Sequence, residues 1–325
     1  MEEEALPRFI VGMPRAGTTW LSQSLNLRPD VVALGETMFW GKSYVSRLRH
    51  LEGARRSLEL MKLRLLAKPL ETTIQIPGPG RTSVIRPDNL AEILSSGFSH
   101  LPSHATPTDL FLNVCRTFAR AEGKTAWVEK TPHHIFSADR ILRHLPDARF
   151  VAMIREPYSL MLSYKHQPGH DRTPESRRRF EDRYHPMACA LLWRLTWRAI
   201  RRLLRRCPSQ VLVVRMEEVE AEPQEVMRRV QDFLRLPPER SAPPLATRIN
   251  SSFEGDSRPQ LGDDDIAWMN IVAGRHIAEA GYHLRRPSHN LKHLSRSALE
   301  IPAWSVRFLL DRRAIMRRAP RPSER

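Results

Sequence analysis

Phe9-Ile10-Val11 is apolar on both faces and runs straight into Gly12-Met13-Pro14-Arg15-Ala16-Gly17, after which apolar residues recur at helical spacing to Leu27. A strand with no polar face is covered on both sides, and one that re-enters as a helix through a glycine turn is the first half of a crossover unit. The same unit recurs at Ala148 to Arg155, a continuous apolar strand after the turn Leu145-Pro146-Asp147, followed by a helix entered through Pro157. Proline is favourable at a first helical turn, where its missing N–H has no partner to lose. Further short buried strands are predicted at Val31 to Leu34, Thr125 to Val128 and Gln210 to Val214. Helical spacing runs through Tyr44 to Leu66, Asn89 to Leu94, Asp109 to Ala121 and Tyr184 to Arg206, and Pro69 to Pro87 is a long loop, a candidate lid or acceptor-site wall. Alternating strands and helices predict an α/β fold, three layers with a central parallel sheet. No internal repeat or composition shift marks a boundary, so the expectation is one domain over residues 1–316 with a basic tail at 317–325.

The 325 residues carry 52 Lys+Arg against 36 Asp+Glu, a net +16, which draws attention to anionic partners. Much of the excess lies in runs such as Arg177-Arg178-Arg179 and Arg201-Arg202-Leu203-Leu204-Arg205-Arg206, which read as solvated helix faces. Cys115, Cys189 and Cys207 have neither CxxC spacing nor a histidine cluster, so neither a disulfide framework nor a zinc site is indicated. The apolar run after the acidic N-terminus is far shorter than a signal-peptide core or a membrane span. These features together predict a soluble, cytoplasmic protein with no membrane span.

A glycine-containing strand-to-helix turn presents backbone N–H groups and a positive dipole to an anion, so the first loop is a phosphate cradle. A nucleoside triphosphatase would carry Gly-x-x-x-x-Gly-Lys-Ser/Thr here. This loop is shorter, has Thr18-Thr19 after Gly17, and places its cation earlier, at Arg15. It resembles the 5′-phosphosulfate loop of sulfotransferases that use 3′-phosphoadenosine 5′-phosphosulfate (PAPS), which implies donor contacts from Arg15, Ala16, Gly17, Thr18 and Thr19. Arg155 at a strand end with Ser163 eight residues on looks like that family's 3′-phosphate site, a guanidinium and a helix hydroxyl meeting on one phosphate. Pro29 to Thr37 resembles the strand-to-glutamate segment of family members acting on tyrosine and glycans, in which the glutamate is the catalytic base; Glu36 holds that place. Glu129-Lys130-Thr131-Pro132-His133 resembles the family's lysine turn, placing Lys130 opposite Arg15 at the sulfuryl group.

In the branch acting on phenols and steroids a histidine two places after that lysine is the base; Pro132 stands there, which favours Glu36, with His133 and His134 as alternatives. Trp20 matches a tryptophan that stacks on adenine, and equally fits the core face of the first helix. Asn250-Ser251-Ser252 and Arg258 occupy the place of a late basic loop over the 3′-phosphate, without its full glycine-rich form. Val214-Arg215-Met216-Glu217-Glu218 is similar to an Arg-Tyr-Glu-Asp segment, with Met216 in place of the tyrosine. The resemblance implies in-line sulfuryl transfer from PAPS to a hydroxyl or amine of an acceptor, a small molecule in the first instance, with no metal required and no nucleic acid involved. Tyr44, Tyr184, Trp193 and Trp197 are candidates for an acceptor wall or for core. A kinase-like phosphotransferase and a nucleic-acid-binding protein using the arginine surface are the alternatives from other classes.

Overall fold

The computed structural model of the chain describes residues 6–41, 106–167, 184–238, 245–246, 259–287 and 298–306 except 303. The Tyr44 to Leu66 and Asn89 to Leu94 helices, the Pro69 to Pro87 loop, Arg177 to Arg179, Asn250 to Ser252, Arg258 and the 317–325 tail lie outside these residues.

Among the described residues, five parallel strands form one sheet: β1 Arg8–Gly12, β2 Val31–Leu34, β3 Ala126–Lys130, β4 Arg149–Ile154 and β5 Val211–Arg215. Their spatial order is β2-β3-β1-β4-β5. The first connection, through helix α1 Thr18–Asn26, runs from β1 toward the β2 edge. Later connections run the other way: α2 Pro107–Ala121 precedes β3, α3 Ala138–His144 precedes β4, and α4 Pro157–Lys165 with α5 Pro186–Arg206 precedes β5. Right-handed crossovers that run in opposite directions lie on opposite faces of a sheet. The loop after β1 therefore leaves toward one face and those after β3 and β4 toward the other, which opens a crevice at the carboxyl end of β1.

The sheet is buried because its residues are apolar on both faces. Every residue of β1 is buried, and Phe9 stacks between Phe150 at 5.4 Å and Phe111 at 5.9 Å, with Trp127 edge-on at 6.1 Å. Helix α2 begins with a reciprocal cap in which Asp109 N–H donates to Thr106 Oγ1 while Thr106 N–H donates to Asp109 Oδ2, and this sets its start two residues before the sequence expectation.

After β5 come the helices α6 Met216–Ala221 and α7 Pro223–Phe233, and then α8 Asp263–Glu279, which packs on α5. The last carbonyls of a helix have no partner within it. Those at the end of α7, and one in the segment that follows, are held by three arginines from the amino-terminal edge of the sheet. Arg149 Nη1 donates to Phe233 O at 2.7 Å, Arg8 Nε to Leu234 O at 2.7 Å, and Arg28 Nη2 to Pro237 O at 2.7 Å. Burial lowers the Arg8 guanidinium to about 10.

Gly12 sets how closely β1 and β4 approach. Its φ is +119°, and a Cβ there would lie 2.2 Å from Met153 O and 2.7 Å from Met153 N. Gly123, at φ +66°, has open space around it. Gly12→Ala is expected to lower stability by about 2–4 kcal/mol, since overlap with backbone adds to conformational strain. Gly123→Ala carries only the left-handed conformational cost, about 1 kcal/mol. Urea midpoints at unchanged m-value check both, and equal effects would contradict the account.

Candidate active site

Gly12 lets the chain leave β1 beside β4, where Met13 N–H donates to Met153 O at 2.9 Å. The loop then turns through two left-handed residues, Arg15 at φ 66° and Gly17 at φ 82°, before α1 begins. The first-turn N–H groups of α1 point along the helix axis into the crevice. A Cβ on Gly17 would meet Met216 Sδ at 2.4 Å, so the methionine that replaces the expected tyrosine packs directly on the loop.

Arg15, assigned to the first loop, meets here the Arg155 and Ser163 that the sequence assigns together to a second site. Arg15 Nε donates to Ser163 Oγ at 3.2 Å, and Arg155 Nη1 donates to the Arg15 carbonyl at 3.0 Å. Ser163 is buried on α4. Burial lowers the Arg15 guanidinium from its ordinary value; Tyr164 opposes that shift and the charge of Arg155 adds to it. Two guanidinium groups from distant parts of the chain are thus held together at a partly dehydrated point, an arrangement that an anion between them relieves.

The strand tip carrying Arg155 is fixed from below. Trp193 on α5 donates its indole N–H to the Arg155 carbonyl at 3.1 Å, and Glu156 N–H donates to Glu217 Oε1 at 2.8 Å. Trp193 is fully buried and stacks with Trp197 at 6.4 Å, so both tryptophans belong to the core. Tyr184 donates its hydroxyl to Asp265 Oδ1 at 2.6 Å. Trp20 is half-buried and donates its indole N–H to Ala246 O at 3.0 Å, which tethers residue 246 to α1.

On the other side of β1, Lys130 at the end of β3 and Glu36 after β2 form an ion pair, Nζ to Oε1 3.1 Å. Lys130 is nearly buried and the Glu36 side chain is 24% exposed, so the carboxylate faces solvent at the crevice. Sequence reasoning missed what lies beneath them. Glu129, fully buried, accepts from Thr37 N–H, the Thr37 and Thr131 hydroxyls and His134 Nδ1–H. The one available signal was a carboxylate at the end of an otherwise apolar strand. His134 Nε2 accepts Trp40 N–H at 3.2 Å, which fixes the ring proton on Nδ1. With both ring nitrogens engaged and the ring buried, His134 is built into the scaffold, while His133 is exposed near Phe136.

A model of the sulfotransferase family matches residues 7–240. No curated protein matches the chain in sequence. Among solved structures, the chain is similar to a sulfotransferase from Alicyclobacillus acidocaldarius, 20% identical over 86% of this chain and 97% of that one, with a TM-score of 0.46. It is similar to a sulfotransferase from Mycobacterium avium, 13% identical over 87% and 79% with a TM-score of 0.47. It is also similar to the sulfotransferase domain of a Synechococcus olefin synthase, 17% identical over 73% and 76% with a TM-score of 0.43. No helix among the described residues is long and apolar enough to cross a membrane.

Burial raises the phenols of Tyr158, Tyr164, Tyr184 and Tyr282 above their ordinary value. For Tyr164 the neighbouring Cys189 and Glu36 add to the rise and Arg15 opposes it. A raised folded-state value means that the stability these groups contribute is complete below the unfolded value of 10.0 and is lost as pH climbs from there through the folded values. Phenolate absorbance of these four groups is expected to rise together with loss of circular dichroism above that pH; since the fifth tyrosine, Tyr44, lies outside the described residues, more than one phenolate per folded chain would contradict the burial.

Proposed function

Because this chain belongs to the sulfotransferase family, we propose that it transfers the sulfuryl group of PAPS to a hydroxyl or amine of an acceptor, with Glu36 as general base. The observation that carries the proposal is the convergence at the end of β1 of two sets of side chains. Arg15, Arg155 and Ser163 stand toward β4, and Glu36 and Lys130 stand toward β3.

In this account the 5′-phosphosulfate rests on the N–H groups of the Ala16-Gly17-Thr18-Thr19 turn, with Arg15 and Lys130 on either side of the sulfuryl group. Arg155 and Ser163 take the 3′-phosphate, Trp20 offers the face of its indole to adenine, and Arg258 adds a charge for the donor. The acceptor oxygen or nitrogen forms the new bond to sulfur, its proton passes to Glu36, and the bond from sulfur to the bridging oxygen breaks. The products are the sulfated acceptor and adenosine 3′,5′-bisphosphate. Negative charge develops on the bridging oxygen, where cations already fixed in place stabilise it without reorganising. Arg15 is held by Ser163 and Lys130 by Glu36, so both are oriented in advance. The ion pair also gives the base its direction, since Lys130 holds the Glu36 carboxylate in one orientation. No step requires a metal. We place the reaction in the cytoplasm, with a small hydroxylated molecule as the first acceptor class to screen.

Two substitutions separate the roles. Glu36→Ala is expected to lower kcat by about 10²–10⁴-fold while leaving the affinity for adenosine 3′,5′-bisphosphate unchanged. Arg155→Ala is expected to weaken that affinity about 10–100-fold through loss of a charge-assisted contact. Radiolabelled sulfate transfer to a panel of hydroxylated acceptors and calorimetric binding of the bisphosphate are the measurements. Wild-type transfer by Glu36→Ala would overturn the base assignment.

A further inference from the structure

The described residues directly after β2 form neither helix nor strand. Residues 35–41 leave the sheet irregularly, with Met38 at φ 52°, and much of the segment is buried. Buried irregular backbone needs hydrogen-bond partners from elsewhere. Four consecutive N–H groups here find side chains: Thr37 N–H donates to Glu129 Oε1 at 3.2 Å and Met38 N–H to Thr131 Oγ1 at 3.3 Å. Phe39 N–H donates to Thr37 Oγ1 at 3.2 Å and Trp40 N–H to His134 Nε2 at 3.2 Å. All four acceptors converge on one carboxylate, since Thr37, Thr131 and His134 each donate to Glu129.

Thr37 follows Glu36 in the chain, and Thr131 follows Lys130. The two residues of the part-buried ion pair are therefore each joined by one peptide bond to a residue that Glu129 grips. Glu36 and Lys130 are 94 residues apart in sequence and meet at 3.1 Å. The grip fixes both ends of that contact from the same buried atom, because Glu129 Oε1 accepts from both threonine hydroxyls. A fully buried carboxylate is costly and persists only where several donors compensate it. A carboxamide cannot replace it: its NH₂ would face a donor, either the His134 ring N–H or the threonine hydroxyls.

We propose that Glu129 is a positioning residue which, through Thr37 and Thr131, sets the Glu36–Lys130 pair in its working geometry. Its effect on rate rests on the assignment of Glu36 and Lys130 to the transfer step; its effect on the pair does not. Glu129 itself touches neither substrate.

The test uses the full chain labelled with [ε-¹³C]lysine. The sequence has seven lysines, and Lys130→Arg identifies the Lys130 signal. Thr37→Val, Thr131→Val, Glu129→Gln and Glu36→Gln are compared with wild type and with Thr37→Ser. In wild type the Lys130 ε-CH₂ resonance is displaced by its carboxylate partner, and Glu36→Gln shows its position without that charge. The two valine variants and Glu129→Gln are expected to move the resonance toward the Glu36→Gln position. They are also expected to lower kcat about 10–100-fold at unchanged bisphosphate affinity, because small misplacement of reacting groups is enough for such losses. Thr37→Ser, which keeps the donor, recovers both readouts. If Glu129→Gln fails to fold, the valine variants carry the test, since each leaves the carboxylate and its other donors in place.

A wild-type Lys130 signal and wild-type kcat in folded variants whose melting temperature alone has dropped would reduce Glu129 to a stabilising role. A moved signal without loss of rate, in an enzyme that Glu36→Gln inactivates, overturns the proposal as well. If Glu36→Gln keeps full activity, the base assignment has failed, and the Lys130 signal alone decides whether Glu129 sets the pair.

Discussion

At Gly12 the first and fourth strands approach so closely that the position admits no side chain, and the geometry of the crevice follows from that contact. The approach lets Met13 bond to the Met153 carbonyl and sends the loop across the end of β4. Arg15 consequently lies under Arg155 and against Ser163, although Arg15 belongs to the first crossover and the other two to the one that follows β4. A left-handed Arg15 and a left-handed Gly17 turn the chain back into α1, aiming its first N–H groups at the same point. Anything that separates β1 from β4 dissolves the guanidinium cluster together with the cradle.

The placement of charge follows one physical rule, that buried polar groups are satisfied or absent. At the amino-terminal edge of the sheet, the buried Arg8 and Arg28 and the half-buried Arg149 donate to carbonyls at and just past the end of α7. At the carboxyl edge, Glu129 is buried beneath four donors. The arginines of α5 behave differently: Arg202, Arg205 and Arg206 are exposed, and Arg201 and Arg206 pair with Glu279 and Asp139. The net charge of the chain is thus divided between scaffold, site and a solvated helix face, and its sum alone identifies no ligand.

Tryptophan and histidine illustrate where pattern reasoning stops. Trp193 and Trp197 have the spacing of a helix face, which suits core and pocket wall equally. Burial assigns both to the core, and Trp193 has the further task of holding the Arg155 carbonyl. His134 sits in a turn where a surface histidine is common, yet the backbone of Trp40 and the carboxylate of Glu129 engage both of its nitrogens. Met216 breaks a motif, and in the fold it fills the space that Gly17 leaves open.

The sequence by itself determined the strands, because uninterrupted apolar runs bounded by turns have few other uses. It also determined the residue types and order of Arg15, Glu36, Lys130, Arg155 and Ser163, because an anion cradle and a base draw on few side chains. Element starts differed by a residue or two, since a cap such as the Thr106–Asp109 pair, rather than periodicity, decides where a helix begins. Only the tertiary structure decided the strand order, the bond from Arg15 to Ser163, the pairing of Glu36 with Lys130 and the buried carboxylate that grips the residues after them. Those contacts join positions 92 to 148 residues apart, and local periodicity carries no information about which distant donor will face which buried acceptor.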